Sequence, residues 1–241
     1  MFTICRICLV VAWFEVGVQP LPTLDCPNLV SQWSWVWEDS FYRGFTIDAE
    51  GNSFVVGYFY GTFDFDPTEA VDLHSAVGGS DAFLSKTNAD GSYGWARPFG
   101  GSDSDFANGV ILGPADELLI VGSFRGTSDF DPGEDVDLRT SIDDPTYEGL
   151  EFNGFLTKLA VDGSYRWTVT FGGGTGETAG KGIARDPNAN FLIVGAFFGS
   201  VDFDPGENVD THTSIPISWD PYVVKLDSGG NYLWARTFGG R

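Results

Sequence analysis

Apolar positions along this chain come in short runs broken by turn-forming residues, and no long stretch carries the period of an amphipathic helix. The strongest runs are Phe54-Val-Val-Gly-Tyr-Phe59, Leu118-Leu-Ile-Val-Gly-Ser-Phe124 and Phe191-Leu-Ile-Val-Gly-Ala-Phe197. β-Branched and aromatic residues dominate them, so each reads as a strand. A weaker strand precedes each run, at Gly44–Ile47, Gly109–Leu112 and Gly182–Arg185. A third follows, at Asp81–Lys86, Asn153–Lys158 and Asp220–Lys225. The fourth starts beyond the dipeptides Asp90-Gly91, Asp162-Gly163 and Gly229-Gly230, with aromatic residues in alternation: Tyr93-Gly-Trp95, Tyr165-Arg-Trp167 and Tyr232-Leu-Trp234. Those dipeptides tolerate the positive φ that hairpin turns need. The Gly inside each second strand predicts close approach of a neighbouring backbone or a sharp twist, as expected near a crowded axis.

These strands belong to a block of about 65 residues that occurs three times with its landmarks in one order. One landmark is Asp64-Phe65-Asp66-Pro67, Asp129-Phe130-Asp131-Pro132 and Asp202-Phe203-Asp204-Pro205; the other is the Phe-Gly-Gly at Phe99, Phe171 and Phe238. A four-stranded sheet without helices can cover both faces only against further sheets. The expected fold is therefore all-β: a β-propeller-like array of three four-stranded antiparallel blades, incomplete or open, over about 42–101, 107–173 and 180–240. The repeat domain is placed at 31–241, with Trp33-Ser-Trp35-Val-Trp37 as the last strand of a preceding blade. The connection after each Asp-Phe-Asp-Pro lies between the second and third strands. It is longest in the middle copy, from Gly133 to Asn153, where it is a candidate binding loop.

The run Gly51-Asn-Ser-Phe-Val-Val-Gly57, with Asp81-Ala-Phe-Leu-Ser-Lys86 and Trp234-Ala-Arg-Thr-Phe-Gly-Gly240, resembles the SBBP-type bacterial β-propeller repeats over about residues 42–240. That resemblance implies a large secreted or surface protein used for display or binding, and it carries no catalytic residues with it. Closed propellers typically have four to eight blades, so this chain is expected to be a fragment of a longer array or to associate through its open blade edges.

Composition narrows the function further. With 34 acidic and 13 basic residues the formal charge is −21, which excludes nucleic acid and anionic lipid as main partners. Cationic surfaces, proteins and carbohydrates remain. Cys5, Cys8 and Cys26 all precede the repeats, so no disulfide framework holds them; Cys5-Arg-Ile-Cys8 has neither a second pair nor nearby His for a zinc site. The segment 1–30 is signal-like: Arg6 is followed by the apolar run Ile7–Phe14, too short to span a membrane. It favours an extracellular or cell-surface location.

The one repeated piece of chemistry is acidic: Asp64, Asp66 and Asp72; Asp129, Asp131 and Asp137; Asp202, Asp204 and Asp210. In an extended segment residues i and i+2 share a side, so the paired carboxylates repel, and a hard cation such as calcium would relieve them. Alternatively these Asp cap turns through backbone N–H groups while Phe65, Phe130 and Phe203 pack inward. The leading function is a non-catalytic binding or scaffold module, with calcium as its one candidate cofactor. A glycoside hydrolase or lyase is the rival, since paired carboxylates suit that chemistry. His74 and His212, the only histidines, are expected in variable loops, and no nucleophile motif occurs. Lys86, Lys158 and Lys225 should face solvent or pair with nearby carboxylates, and the repeated Trp should mark blade cores.

Overall fold

In the computed structural model each run read as a strand within the three repeated blocks is one. The description covers residues 40–142, 151–216 and 218–239, all within one compact unit, Val36–Arg241. The signal-like segment, the three cysteines and Trp33–Trp37 lie outside it, as do residues 143–150 of the middle connection. The first blade orders β1 (Ser40–Ile47), β2 (Ser53–Phe59), β5 (Asp81–Thr87) and β6 (Tyr93–Gly101) as an antiparallel meander. The second comprises β7 (Phe106–Leu112), β8 (Glu117–Phe124), β11 (Asn153–Ala160) and β12 (Tyr165–Phe171). The third comprises β13 (Gly174–Arg185), β14 (Phe191–Asp202), β16 (Asp220–Leu226) and β17 (Tyr232–Thr237). The described residues contain no helix, and no sheet closes on itself. This is an open propeller-like array.

The connections after the second strands are more ordered than loops. Each folds into a small hairpin: β3 (Thr62–Asp64) with β4 (Leu73–Ser75), β9 (Thr127–Asp129) with β10 (Leu138–Thr140), and the tail of β14 with β15 (Thr211–Thr213). His74 and His212 therefore do not lie in variable loops. They sit on β4 and β15, at the register position that Arg139 holds on β10.

Two apolar clusters join the blades, and each draws on two adjacent sheets. Phe54, Val56, Ala82 and Leu84 of the first blade meet Val110, Leu118, Ile120, Phe124, Phe130 and Phe155 of the second. Leu119, Val121, Leu156 and Phe171 of the second meet Phe191, Ile193, Phe197, Phe203, Tyr222 and Val224 of the third. Alternation along β8 explains the sharing, because Ile120 faces one neighbour and Leu119 and Val121 the other. Each fully buried large side chain contributes roughly 1.5–3 kcal/mol. The cross-blade hydrogen bond from Asn108 Nδ2 to Gly180 O, 2.8 Å, adds about 1 kcal/mol. Apolar burial decides the junctions.

A second join recurs at the blade rims. The Phe-Gly-Gly end of β6 pairs with β9 of the next blade, Gly100 opposite Asp129 and Gly101 opposite Ser128. At the following junction the Gly172 N–H donates to Asp202 O at 3.0 Å. Phe99 is thereby placed against Phe130 and Phe155, and Phe171 against Phe203 and Tyr222.

The second-strand glycines do meet a neighbouring backbone closely: a Cβ on Gly57 or Gly195 would lie 1.9 or 2.1 Å from Phe41 O or Ala179 O. Gly57, Gly122 and Gly195 sit opposite β-bulges at Tyr42/Gly44, Ala107/Gly109 and Gly180/Gly182 within their own blades. Between blades the first strands crowd as well: β7 lies between β1 and β13, and a Cβ on Gly44 would come 3.1 Å from the Gly109 Cα. A Cβ on Gly122 would lie 1.9 Å from Phe106 O and 2.6 Å from the Phe155 ring. Gly122→Ala should therefore cost about 3 kcal/mol or more in urea unfolding. Gly61→Ala, with φ +59° and no neighbour within 4 Å among the described residues, should cost about 1 kcal/mol. Equal losses would contradict the bulge geometry.

Candidate functional site

The acidic hairpins are built alike in all three blades. The first Asp ends its strand, and the chain turns immediately after it instead of continuing extended. Asp64 Oδ1 accepts the N–H groups of Asp66 and Asp72 at 3.1 and 2.9 Å. Asp129 does so from Asp131 and Asp137 at 3.0 and 2.9 Å, and Asp202 from Asp204 and Asp210 at 3.1 and 2.9 Å. The second Asp caps the next turn: Asp66 accepts from Thr68 N, Asp131 from Gly133 N and Asp204 from Gly206 N. Between them Phe65, Phe130 and Phe203 are buried. These are Asx turns, in which a short carboxylate replaces a backbone acceptor.

The third Asp of each set is anchored from elsewhere in the blade. Tyr93, Tyr165 and Tyr232, which open the fourth strands, donate their hydroxyls to Asp72, Asp137 and Asp210. Burial, reinforced by the carboxylate partner, raises all three phenols, that of Tyr165 to about 12. A cationic or cationisable group lies on the other side: His74 Nε2 at 3.0 Å from Asp72 Oδ1, Arg139 at 3.0 Å from Asp137 and His212 Nε2 at 3.3 Å from Asp210. The Tyr–Asp brace went unread in the sequence, although both residues recur in every copy. The nine carboxylates thus form three separate braces. Among the described residues no three acidic, imidazole or thiol groups gather as a metal-binding set.

Of the repeated lysines, Lys158 is buried and pairs with Glu117 at 2.9 Å, and Lys225 pairs with Asp186 at 2.7 Å. The bond to Lys225 holds the Asp186 carboxyl well below the usual range. Trp95 and Trp167 pack against the two apolar clusters as core markers. Shallow grooves flank the hairpins. One, of about 220 Å³, lies between Pro98–Gly100 and Asp131–Gly133. Another, of about 280 Å³, lies between Asp204–Gly206 and Gly229–Tyr232.

A pattern at the hairpin tips escaped the sequence reading as well. Glu69-Ala-Val71, Glu134-Asp-Val136 and Glu207-Asn-Val209 each present an exposed acid and an exposed Val, the Val between 65% and 74% accessible. An apolar residue kept outside at one position in all three copies has no part in the core. Its signal was the shared Glu-x-Val spacing.

Asp105 is buried where the first two blades meet. It accepts the Ser128 hydroxyl at 2.6 Å and the Gly101 N–H at 2.8 Å. Burial pushes it up to about 7, against those two hydrogen bonds and with help from nearby Asp81. Its position ties β9 to the end of β6, so its role is to hold the junction.

No protein-family model matches the chain. It is 23% identical over 215 residues to an uncharacterized WD repeat-containing protein of Acanthamoeba polyphaga mimivirus, an alignment covering 80% of this chain and 15% of the relative. The chain therefore spans only a small part of the length of that protein. The similarity agrees with the propeller-like fold.

An unfolded Asp titrates near 4, so between about pH 4 and pH 7 the folded state holds a proton at Asp105 that the unfolded chain has released. Stability should fall as pH rises across that window, and this contribution should be flat above it. Asp105→Asn removes the titration. Its urea midpoint should drop less between about pH 5 and pH 7.5 than that of the parent chain, and identical slopes would contradict the assignment.

Proposed function

We propose that the chain is a non-catalytic propeller scaffold whose acidic hairpin face binds a protein partner bearing basic and apolar groups. The observation that carries this reading is the threefold repetition of an exposed Val beside an exposed Glu at the hairpin tips. A row of apolar points in an acidic field suits a cationic, partly apolar surface, with charge setting the encounter rate and the valines the retention. The WD repeat-containing relative supports a repeat scaffold. We place the repeats with the SBBP type and the protein outside the cell on the motifs and the signal-like segment.

Hydrolysis is disfavoured by the same geometry. A glycosidase needs a proton-holding carboxyl and a second carboxylate on either side of a substrate. Asp105, whose carboxyl is raised by burial, is 1% exposed and bonded on both oxygens inside a blade junction. The hairpin carboxylates already accept backbone N–H groups. Calcium remains a proposal secondary to this one. A melting temperature unchanged between millimolar calcium and EDTA would remove it.

Panning a random peptide library on the folded protein should enrich basic peptides with apolar residues. Their binding should weaken at least about tenfold in the triple variant V71S/V136S/V209S, and also with added salt, at an unchanged melting temperature. Equal binding to parent and variant would overturn the proposed face. Polysaccharide turnover lost in a single Asp→Asn variant would favour the enzyme instead.

A further inference from the structure

The groove between Pro98–Gly100 and Asp131–Gly133 holds an acid that the hairpins do not use. Asp81, which opens β5, lines it and is only 3% exposed. Its Oδ2 accepts the Val77 N–H at 3.0 Å, whereas Oδ1 is buried with no hydrogen-bond partner among the described residues. Asp105 stands beside it: a Cβ on Gly100 would lie 3.0 Å from Asp81 Oδ1 and 2.7 Å from Asp105 Oδ2, so the two carboxyls share the space at one glycine. Burial raises both, and Asp81 adds to the rise at Asp105. A buried oxygen without a donor, next to a second acid, is costly until positive charge reaches it.

The groove suits a donor that brings both charge and an apolar stem. Val77, Pro98 and Pro132 line it with apolar surface, and Asp129 and Asp131 add two half-buried acids. No lysine, arginine or histidine is among the described residues that line it. These acids do not converge as a metal-binding set, so a point cation gains less here than a group that spreads its charge and donors. A guanidinium is planar, weakly hydrated and carries five N–H donors, at the end of a stem that packs on proline and valine. The second junction provides an internal contrast. Asn153 and Thr178 hold the repeat positions of Asp81 and Asp105, and Asn153 Oδ1 accepts the Ile142 N–H at 3.0 Å as Asp81 accepts that of Val77. The turn bond is kept there without the charge.

We propose that this groove receives one arginine side chain of the partner, its stem against Val77, Pro98 and Pro132 and its guanidinium bonded to Asp81, with Asp131 alongside. The partner's identity as a basic, apolar protein rests on the reading above; the preference for a guanidinium rests on the groove itself. Gly133, which lines the groove, directly precedes the exposed Glu134–Val136 tip, so one bound chain can occupy both.

Amide NMR of the full chain titrated with Nα-acetyl-arginine amide tests the groove alone. The signals of Val77, Gly100 and Gly133 should move at millimolar ligand. The citrulline analogue, of the same shape without the charge, should bind at least about tenfold more weakly. Asp81→Asn should lose binding of the arginine derivative by a similar factor at an undiminished melting temperature, because Asn153 makes the same turn bond in the next blade. Asp131→Asn keeps an acceptor for the Gly133 N–H and should weaken binding less, about threefold. Equal shifts with citrulline, unaltered binding in Asp81→Asn, or shifts confined to other signals would overturn the proposal. Peptides captured by Asp81→Asn as tightly as by the parent would also overturn it while leaving the hairpin face standing. Binding of the arginine derivative without capture of any peptide would support the groove and count against that face.

Discussion

A blade of this chain has two apolar faces, and at each of the two junctions one of them is buried against the neighbouring blade. Everything else in the structure follows from how those faces are covered. Alternation along β8 sends Ile120 to one junction and Leu119 and Val121 to the other, so the middle sheet has both faces covered by neighbours. The first-strand glycines allow the sheets to converge at one side. The Phe-Gly-Gly ends fasten them at the rim, where Gly101 leaves room for Thr127 O at a distance no Cβ could tolerate.

The acidic residues serve the same end. A propeller rim must turn the chain sharply between the second and third strands, and turns leave backbone N–H groups without partners. Asp64, Asp129 and Asp202 supply acceptors for two such groups each, and Tyr93, Tyr165 and Tyr232 tie the far side of each hairpin to its blade. The carboxylates that suggested a cation take part in holding the turns. What the hairpins offer outward is a different set: the exposed tips with their repeated Val and Glu.

The strand plan was legible because it depends on local signals. Runs such as Leu118–Phe124 are strongly β-forming, and Gly91, Gly163 and Gly230 do adopt positive φ, +86°, +88° and +87°. The small hairpins were not legible, since strands as short as Thr62–Asp64 alternate over too few positions to register as a period. The role of Asp105 could not be read either, because Ser128 and Gly101 reach it only after two blades have come together. Nor could the second-strand glycines be assigned to a bulge, since a bulge on the partner strand leaves no mark in the strand that carries the glycine.

The central claim is that covered faces, and not the sheets by themselves, hold the array together. Val121 and Val194 occupy one repeat position, the first fully buried between blades and the second 45% exposed. Urea unfolding of Val121→Asp and Val194→Asp, in protein dilute enough to be monomeric, compares them directly. The account predicts that Val121→Asp prevents folding or costs several kcal/mol, on the order of burying an unpaired carboxylate, while Val194→Asp costs less than about 1 kcal/mol. Losses of equal size at the two positions would contradict it.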